Sequence, residues 1–256
     1  MFGYDQPTAF DLRFRIFGFP VRVHPLFWLI AALLGEPLWR VVGFQYLLVW
    51  IACVFFSILL HELGHAFLIR RFGSPSLIVL TGFGGYAQMP YPPDSPWKRM
   101  AISLAGAGIQ LAFAGLIYAS EQKFDWASTS LPTLLTYHFL IWINIYWALF
   151  NLLPIYPMDG GQATLQLFRI LKLRNPDAAV HTFSIITAGI LVLRGVTTLM
   201  QVRLAIIDDI LPMWLTPSLF MMLFFVMFIV YNYQMLQIAQ RRRSYYDDDD
   251  SPPWRR

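Results

Sequence analysis

Charged residues are missing from four long stretches of this chain: Val41–Leu60 (20 residues), Met100–Ser120 (21), Trp126–Met158 (33) and Ile210–Gln240 (31). About 20 predominantly apolar residues are enough to cross a bilayer as a helix. The pattern predicts six spans. The first starts at His24-Pro25 and runs through FWLIAALLG, with about a dozen clean apolar residues. The others cover Phe44 to about Phe72, Met100–Ser120, Leu131 to Leu153, Ala178 to Met200 and Met213 to Ala239. Between the second and third spans, SLIVLTGFGGYAQMPYPP mixes β-branched and aromatic residues with glycines and ends in prolines. That composition predicts a short membrane-associated β-hairpin.

The fold class expected is therefore an all-α polytopic membrane protein of about six transmembrane helices with one such hairpin. Three segments are expected: an N-terminal cytoplasmic segment (1–22), a six-span domain (23–240) and a disordered cytoplasmic tail (241–256). Basic residues set the orientation. With six spans, fifteen Lys and Arg fall on one side, among them Arg13, Arg15, Arg70, Arg71, Lys98 and Arg99, against Arg40, Lys123 and Arg203 on the other. Positive residues favour the cytoplasm, so both termini are expected there.

Composition agrees and excludes much else. The chain is 57% hydrophobic and 13% charged, about half the charge of an ordinary globular protein. Disorder, a disulfide scaffold and a soluble enzyme are excluded, and the single Cys53 lies inside a span. The net charge of +4 leaves no nucleic-acid footprint, because the bases sit between spans and meet the lipid bilayer. No cleavable leader is expected, since the first apolar stretch starts after residue 24 and lacks a small-residue cleavage site.

Chemistry enters at His61-Glu62-Leu63-Gly64-His65, at the end of the second span. Residues four apart share a helix face, so the two imidazoles converge while Glu62 flanks them. This is the HExxH arrangement, with two zinc ligands and a carboxylate that can deprotonate water at the metal. Five His and three Glu placed at random would give it about once in a thousand arrangements. Each ionisable residue at membrane depth costs about 2.5–3.5 kcal/mol on insertion scales, so such residues are rare and usually functional.

A catalytic zinc takes three protein ligands. His138, His181 and Asp159 are the remaining candidates in the apolar segments. Asp159 follows Asn151-Leu152-Leu153-Pro154-Ile155-Tyr156-Pro157-Met158 and precedes Gly160-Gly161. The prolines break the fourth span, and broken backbone at membrane depth is tolerated only where it is buried in protein or lines a cavity. A carboxylate there is placed like a site residue. Two neutral His, one ionised Asp, Zn²⁺ and a hydroxide also sum to zero charge. His24, His138 and His181 otherwise read as hydrogen-bonded interior or interfacial histidines, and Arg194 as a residue snorkelling from the outer end of the fifth span.

HELGH followed about 90 residues later by NLLPIYPMDGG resembles the site-2 protease family of intramembrane zinc metalloproteases, over residues 20–240. The resemblance implies one Zn²⁺ held by His61, His65 and Asp159, with Glu62 as general base and Asn151 steadying the oxyanion or the substrate. It also implies a substrate-binding role for Gly84-Gly85 in the hairpin. Val23-His24-Pro25 resembles the family's entry segment. The implied substrate is a transmembrane protein; the small size and lack of targeting features suit a prokaryotic cytoplasmic membrane, with an organelle membrane as the alternative. Met158 stands where the family has Leu, and Ala107 and Gln110 stand where it commonly has Pro and Asn. No segment is long enough for a PDZ or CBS insertion. Competing readings are a metal-ion transporter, which leaves Glu62 unexplained, and a degenerate relative that binds membrane helices without cutting. A protease with Glu as third ligand is disfavoured, because no Glu follows Glu121.

Overall fold

Leu12, Phe14 and Ile16 alternate with Arg13 and Arg15, the two-residue period of a strand with one apolar face. In a computed structural model that describes residues 7–36, 42–82, 84–202 and 218–249, this segment is β1 (Leu12–Ile16). It turns at Phe17-Gly18, both at positive φ, into β2 (Phe19–Val23). The chain then forms α1 (Pro25–Leu34) and α2 (Phe44–Arg71), followed by β3 (Ile78–Thr81) and β4 (Gly84–Ala87). Helices α3 (Pro96–Phe124), α4 (Leu131–Asn151), α5 (Asp159–Ile170), α6 (Pro176–Leu199) and α7 (Leu219–Asp249) follow among the described residues.

The expected hairpin exists as β3–β4, but it is half of a larger object. The sheet has four strands in the order β1-β2-β3-β4. Outer pairs are antiparallel, and the central pair β2–β3 is parallel, with Val21 opposite Ile78 and Val23 opposite Leu80. A simple hairpin is therefore corrected to a mixed sheet. The reason is physical: two strands alone are marginal, and β3–β4 gains stability by pairing with the buried β2.

The structure supports several membrane-crossing helices without reaching the expected six among the described residues. Five helices among the described residues are long and apolar enough to cross a membrane: Phe44–Arg71, Pro96–Phe124, Leu131–Asn151, Pro176–Leu199 and Met221–Arg241. The first predicted span is only the ten residues of α1, about 15 Å of helix. It starts where the His24 ring accepts from the Leu26 amide (3.2 Å) and Pro25 takes the first turn. Strand β2 and helix α1 lie end to end along α2. Arg70 at the foot of α2 donates to the Phe17 carbonyl (2.8 Å), and Trp50 near its head donates to the Ala31 carbonyl (3.0 Å). Those anchors are about 30 Å apart along α2.

The chain divides into two units, Met1–Leu152 and Leu153–Arg256. In the first, Phe19, Val21, Val23, Phe27, Ile58, Leu63 and Leu80 form a core that joins sheet, α1 and α2. The helix break expected at Pro154 and Pro157 is present: α4 ends at Asn151, and a loop leads to α5. In the second unit α6 packs on α5 and α7. Arg194, expected to snorkel, is buried at 4% exposure. Helix α7 continues to Asp249. Residues 250–256, like part of the sixth predicted span (213–217), lie outside the described residues.

Candidate metal centre

A 28-residue apolar helix puts His61 and His65 one turn apart on α2, where both are buried. Their Nε2 atoms lie 3.1 Å apart. His65 Nδ1 faces the Ile102 carbonyl at 2.7 Å, which can only accept, so Nδ1 carries the hydrogen. His61 Nδ1 faces Gln110 Oε1 at 2.8 Å. That amide is oriented by its other end, because Gln110 Nε2 donates to the Ser57 carbonyl at 3.1 Å. Both rings are thus assigned the Nδ1–H tautomer, and two Nε2 lone pairs face one another. Two acceptors at that distance call for a cation or a proton between them. Two imidazole nitrogens on one tetrahedral zinc stand roughly 3.3 Å apart, so the pair fits the metal. The carbonyl and amide behind the rings are the outer partners that hold metal-binding histidines in place.

The space around this pair is kept by two glycines. A Cβ on Gly106 of α3 would meet His65 Nε2 and stand 2.7 Å from His61 Cε1 and Nε2. A Cβ on Gly85 of β4 would stand 2.6 Å from Glu62 Cγ and 2.7 Å from Glu62 Oε1. The general-base candidate is therefore buried against an edge strand that has no side chain at that point.

That edge has a definite polarity. Gln88 N donates to Leu77 O (2.9 Å), and Leu77 opposes Gln88 by the register of the strands. Hydrogen-bonded pairs alternate in an antiparallel ladder, so Tyr86 and Gly84 bond to β3, while Gly85 and Ala87 turn their N–H and C=O to the outer edge. Gly84 differs from its neighbour: it has φ of 118° and packs against Trp147, 3.1 Å from where its Cβ would be.

The other predicted residues sit at the break after α4. Asn151, in the last turn of α4, donates from Nδ2 to the Trp147 carbonyl (2.9 Å). Asp159 is the first residue of α5, where the positive end of the helix dipole favours a carboxylate. His138 is exposed and bonds back to the Leu134 carbonyl (2.8 Å), while the buried His181 faces Asn232 (2.8 Å).

In sequence Gln110 stood out only as a departure from the family's Asn; here it is the partner of His61. Asn144 went unnoticed. It is fully buried and donates to Ser57 Oγ (2.9 Å), tying α4 to the turn above His61. The available signal was an amide in the middle of an uncharged span, which seldom persists without a partner.

The sequence profile of peptidase family M50 matches residues 49–124 and 123–194. Stage IV sporulation protein FB of Bacillus subtilis is 30% identical over 205 residues, covering 78% of this chain and 65% of that protein. A zinc metalloprotease of Methanocaldococcus jannaschii is 30% identical over 151 residues, 58% of this chain. The chain spans only 42% of the length of that relative. The solved site-2 protease from Methanocaldococcus jannaschii shares the fold, with a TM-score of 0.54 at 22% identity over 91% of this chain and 94% of that one. Zinc is the metal that the donor chemistry and the named relative have in common.

Proposed function

The chain belongs to peptidase family M50, and from that premise we propose that it is an intramembrane zinc endopeptidase that cuts a transmembrane protein within or near its span. One observation carries the reading. The Nε2 atoms of His61 and His65 lie 3.1 Å apart on an apolar helix, with the buried carboxylate of Glu62 on the residue between them. A permeation site needs the nitrogens but has no use for a flanking base.

His61 and His65 are two zinc ligands in this reading, and Asp159 is the third. The set of two imidazoles and one carboxylate suits zinc with a fourth position open. Bound zinc acidifies water and polarises a carbonyl. Glu62 takes a proton from water on its carboxylate and returns it to the leaving nitrogen. Asn151 spends one amide hydrogen on Trp147 and offers the second to the developing oxyanion. A peptide bond within a helix is shielded by its own hydrogen bonds, so the substrate must unwind. The outward N–H and C=O of Gly85 and Ala87 suit pairing with such an extended segment beside Glu62, which gives Gly84-Gly85 its substrate-binding role.

Residues 23–240 carry this chemistry. We count β2 and α1 together as the sixth crossing, since their combined length matches the roughly 30 Å hydrocarbon thickness. An even number of crossings keeps both termini on the basic, cytoplasmic side. Reporter fusions at the two ends, in a prokaryotic cytoplasmic membrane, test that count: opposite sides would overturn it.

The chemistry is tested first by metal content of the detergent-purified chain. Wild type is expected to hold one zinc, His61→Ala and Asp159→Ala to lose it, and Glu62→Gln to keep it while failing to cut a single-span reporter. Cleavage by purified Glu62→Gln would sink the mechanism. Full zinc retention by Asp159→Ala would remove the third ligand.

A further inference from the structure

The loop before Asp159 is gripped by side chains from two helices, and we propose that this grip, centred on Asn232, is what holds the Asp159 carboxylate ready as a metal ligand. The proposal rests on the ligand role given to Asp159 above.

Asn232 of α7 is fully buried. Its Nδ2 donates to two carbonyls, Tyr156 O at 2.6 Å and Phe228 O at 2.8 Å. A nitrogen donating twice fixes which end of the amide is which, so Oδ1 faces His181 Nδ1 at 2.8 Å, and that ring nitrogen carries the hydrogen. On the other side of the same residue, the Tyr156 amide donates to Ser184 Oγ at 2.9 Å, and that hydroxyl donates to the Val180 carbonyl at 2.7 Å. Both polar backbone groups of Tyr156 are thus held by buried side chains, one from α6 and one from α7. The Tyr156 ring is fixed as well, edge-on to His181 (5.2 Å) and stacked on Tyr231 (6.3 Å).

From Tyr156 to Asp159 the chain has little freedom. Met158 N donates to Ile155 O (2.9 Å), and Gln162 Nε2 donates to Pro157 O (3.1 Å). Gly161 lies so close to the Ile155 and Tyr156 backbone that a Cβ there would stand 2.6 Å from Ile155 O. A non-helical segment at membrane depth must satisfy its N–H and C=O groups inside the protein. Any partner would serve that need. Two fully buried partners acting on one residue, three positions before the carboxylate, do more: they remove the ordering entropy that metal binding would otherwise have to supply. Asn232 and Ser184 are positioning residues, and they act on the metal through the Tyr156 backbone.

The test uses the whole chain in detergent, with zinc affinity read by chelator competition and ligand geometry by the visible spectrum of the Co²⁺-substituted protein. Asn232→Leu is expected to bind zinc about tenfold more weakly, as loss of an outer partner does, and to change the Co²⁺ bands. Ser184→Ala is expected to move both readouts the same way by a smaller factor. A merely structural role would lower the unfolding temperature and leave the Co²⁺ spectrum of the folded fraction as in wild type. Wild-type affinity and spectrum in Asn232→Leu, with Asp159→Ala impaired, would overturn the grip and leave the ligand reading standing. Wild-type values in Asp159→Ala would overturn both. Should Asn232→Leu fail to fold, Ser184→Ala decides alone, and wild-type values there overturn the proposal.

Discussion

Gly106→Ala should abolish metal binding while Gly108→Ala, two residues along the same helix, should not. The added methyl at 106 would stand 2.7 Å from His61 Cε1 and Nε2, whereas ordinary contact begins at 3.4 Å. The ring must therefore retreat by about 0.7 Å, the difference between those two distances. It is not free to do so, because Nδ1 of His61 is tied to Gln110 and Nδ1 of His65 to Ile102. Zinc–nitrogen bonds tolerate about 0.2 Å around their usual length, so the displacement exceeds tolerance more than threefold. The fold loses about 1–3 kcal/mol to overpacking. At Gly108 a Cβ meets nothing within 4 Å, and alanine there gains about 0.5–1 kcal/mol of helix propensity. Zinc per chain, chelator competition and thermal unfolding on both variants give the answer. A folded Gly106→Ala protein with wild-type zinc affinity would refute the argument that the imidazole pair and this glycine form one metal cradle.

Three further outcomes follow from the same geometry. Gln110→Leu strips the partner from His61 Nδ1 and should weaken zinc binding about 10–100-fold; an unchanged chelator titration would show that His61 needs no orienting group. Gly85→Ala crowds Glu62 and not the imidazoles, so it should retain zinc yet cleave a single-span reporter at least about tenfold more slowly; parallel loss of zinc would break that separation. Asp11, outside the spans, has its carboxyl held below the usual range, chiefly by the Thr8 hydroxyl (2.6 Å) and further by the Thr8 amide and nearby Arg22, against the opposing cost of burial. The unfolded chain then binds more protons in acid. Asp11 thus contributes stability that is full above about pH 4 and is lost as pH falls through its lower folded value. Asp11→Asn should flatten the acid limb of the unfolding temperature against pH, and superimposable limbs would contradict it.

Several of these residues could be read directly and others could not. HELGH is local: four residues of helix bring two imidazoles to one face wherever that helix lies, so His61, Glu62 and His65 were legible. The break at Pro154 and Pro157 was legible for the same reason, since proline acts on its own backbone. The ten-residue length of α1 was not legible, because a dozen apolar residues carry no feature that marks where the helix stops. Strand β2 precedes it and pairs in parallel with β3, some 55 residues later, a partner that local sequence does not reveal. The strand alternation of residues 12–16 was present in the sequence, but clustered arginines there were read as a charged flank.

What the sequence determined by itself was whatever short-range chemistry dictates: the apolar lengths, the helical spacing of the HExxH residues and the proline-broken approach to Asp159. Tertiary structure alone decided which distant groups complete each of them. Gln110 and Ile102 select the tautomers, Gly106 and Gly85 clear the space, and Asn232 with Ser184 grips Tyr156. A buried amide or glycine looks the same in sequence whatever it faces, because its role lies in the partner that packing brings within about 3 Å.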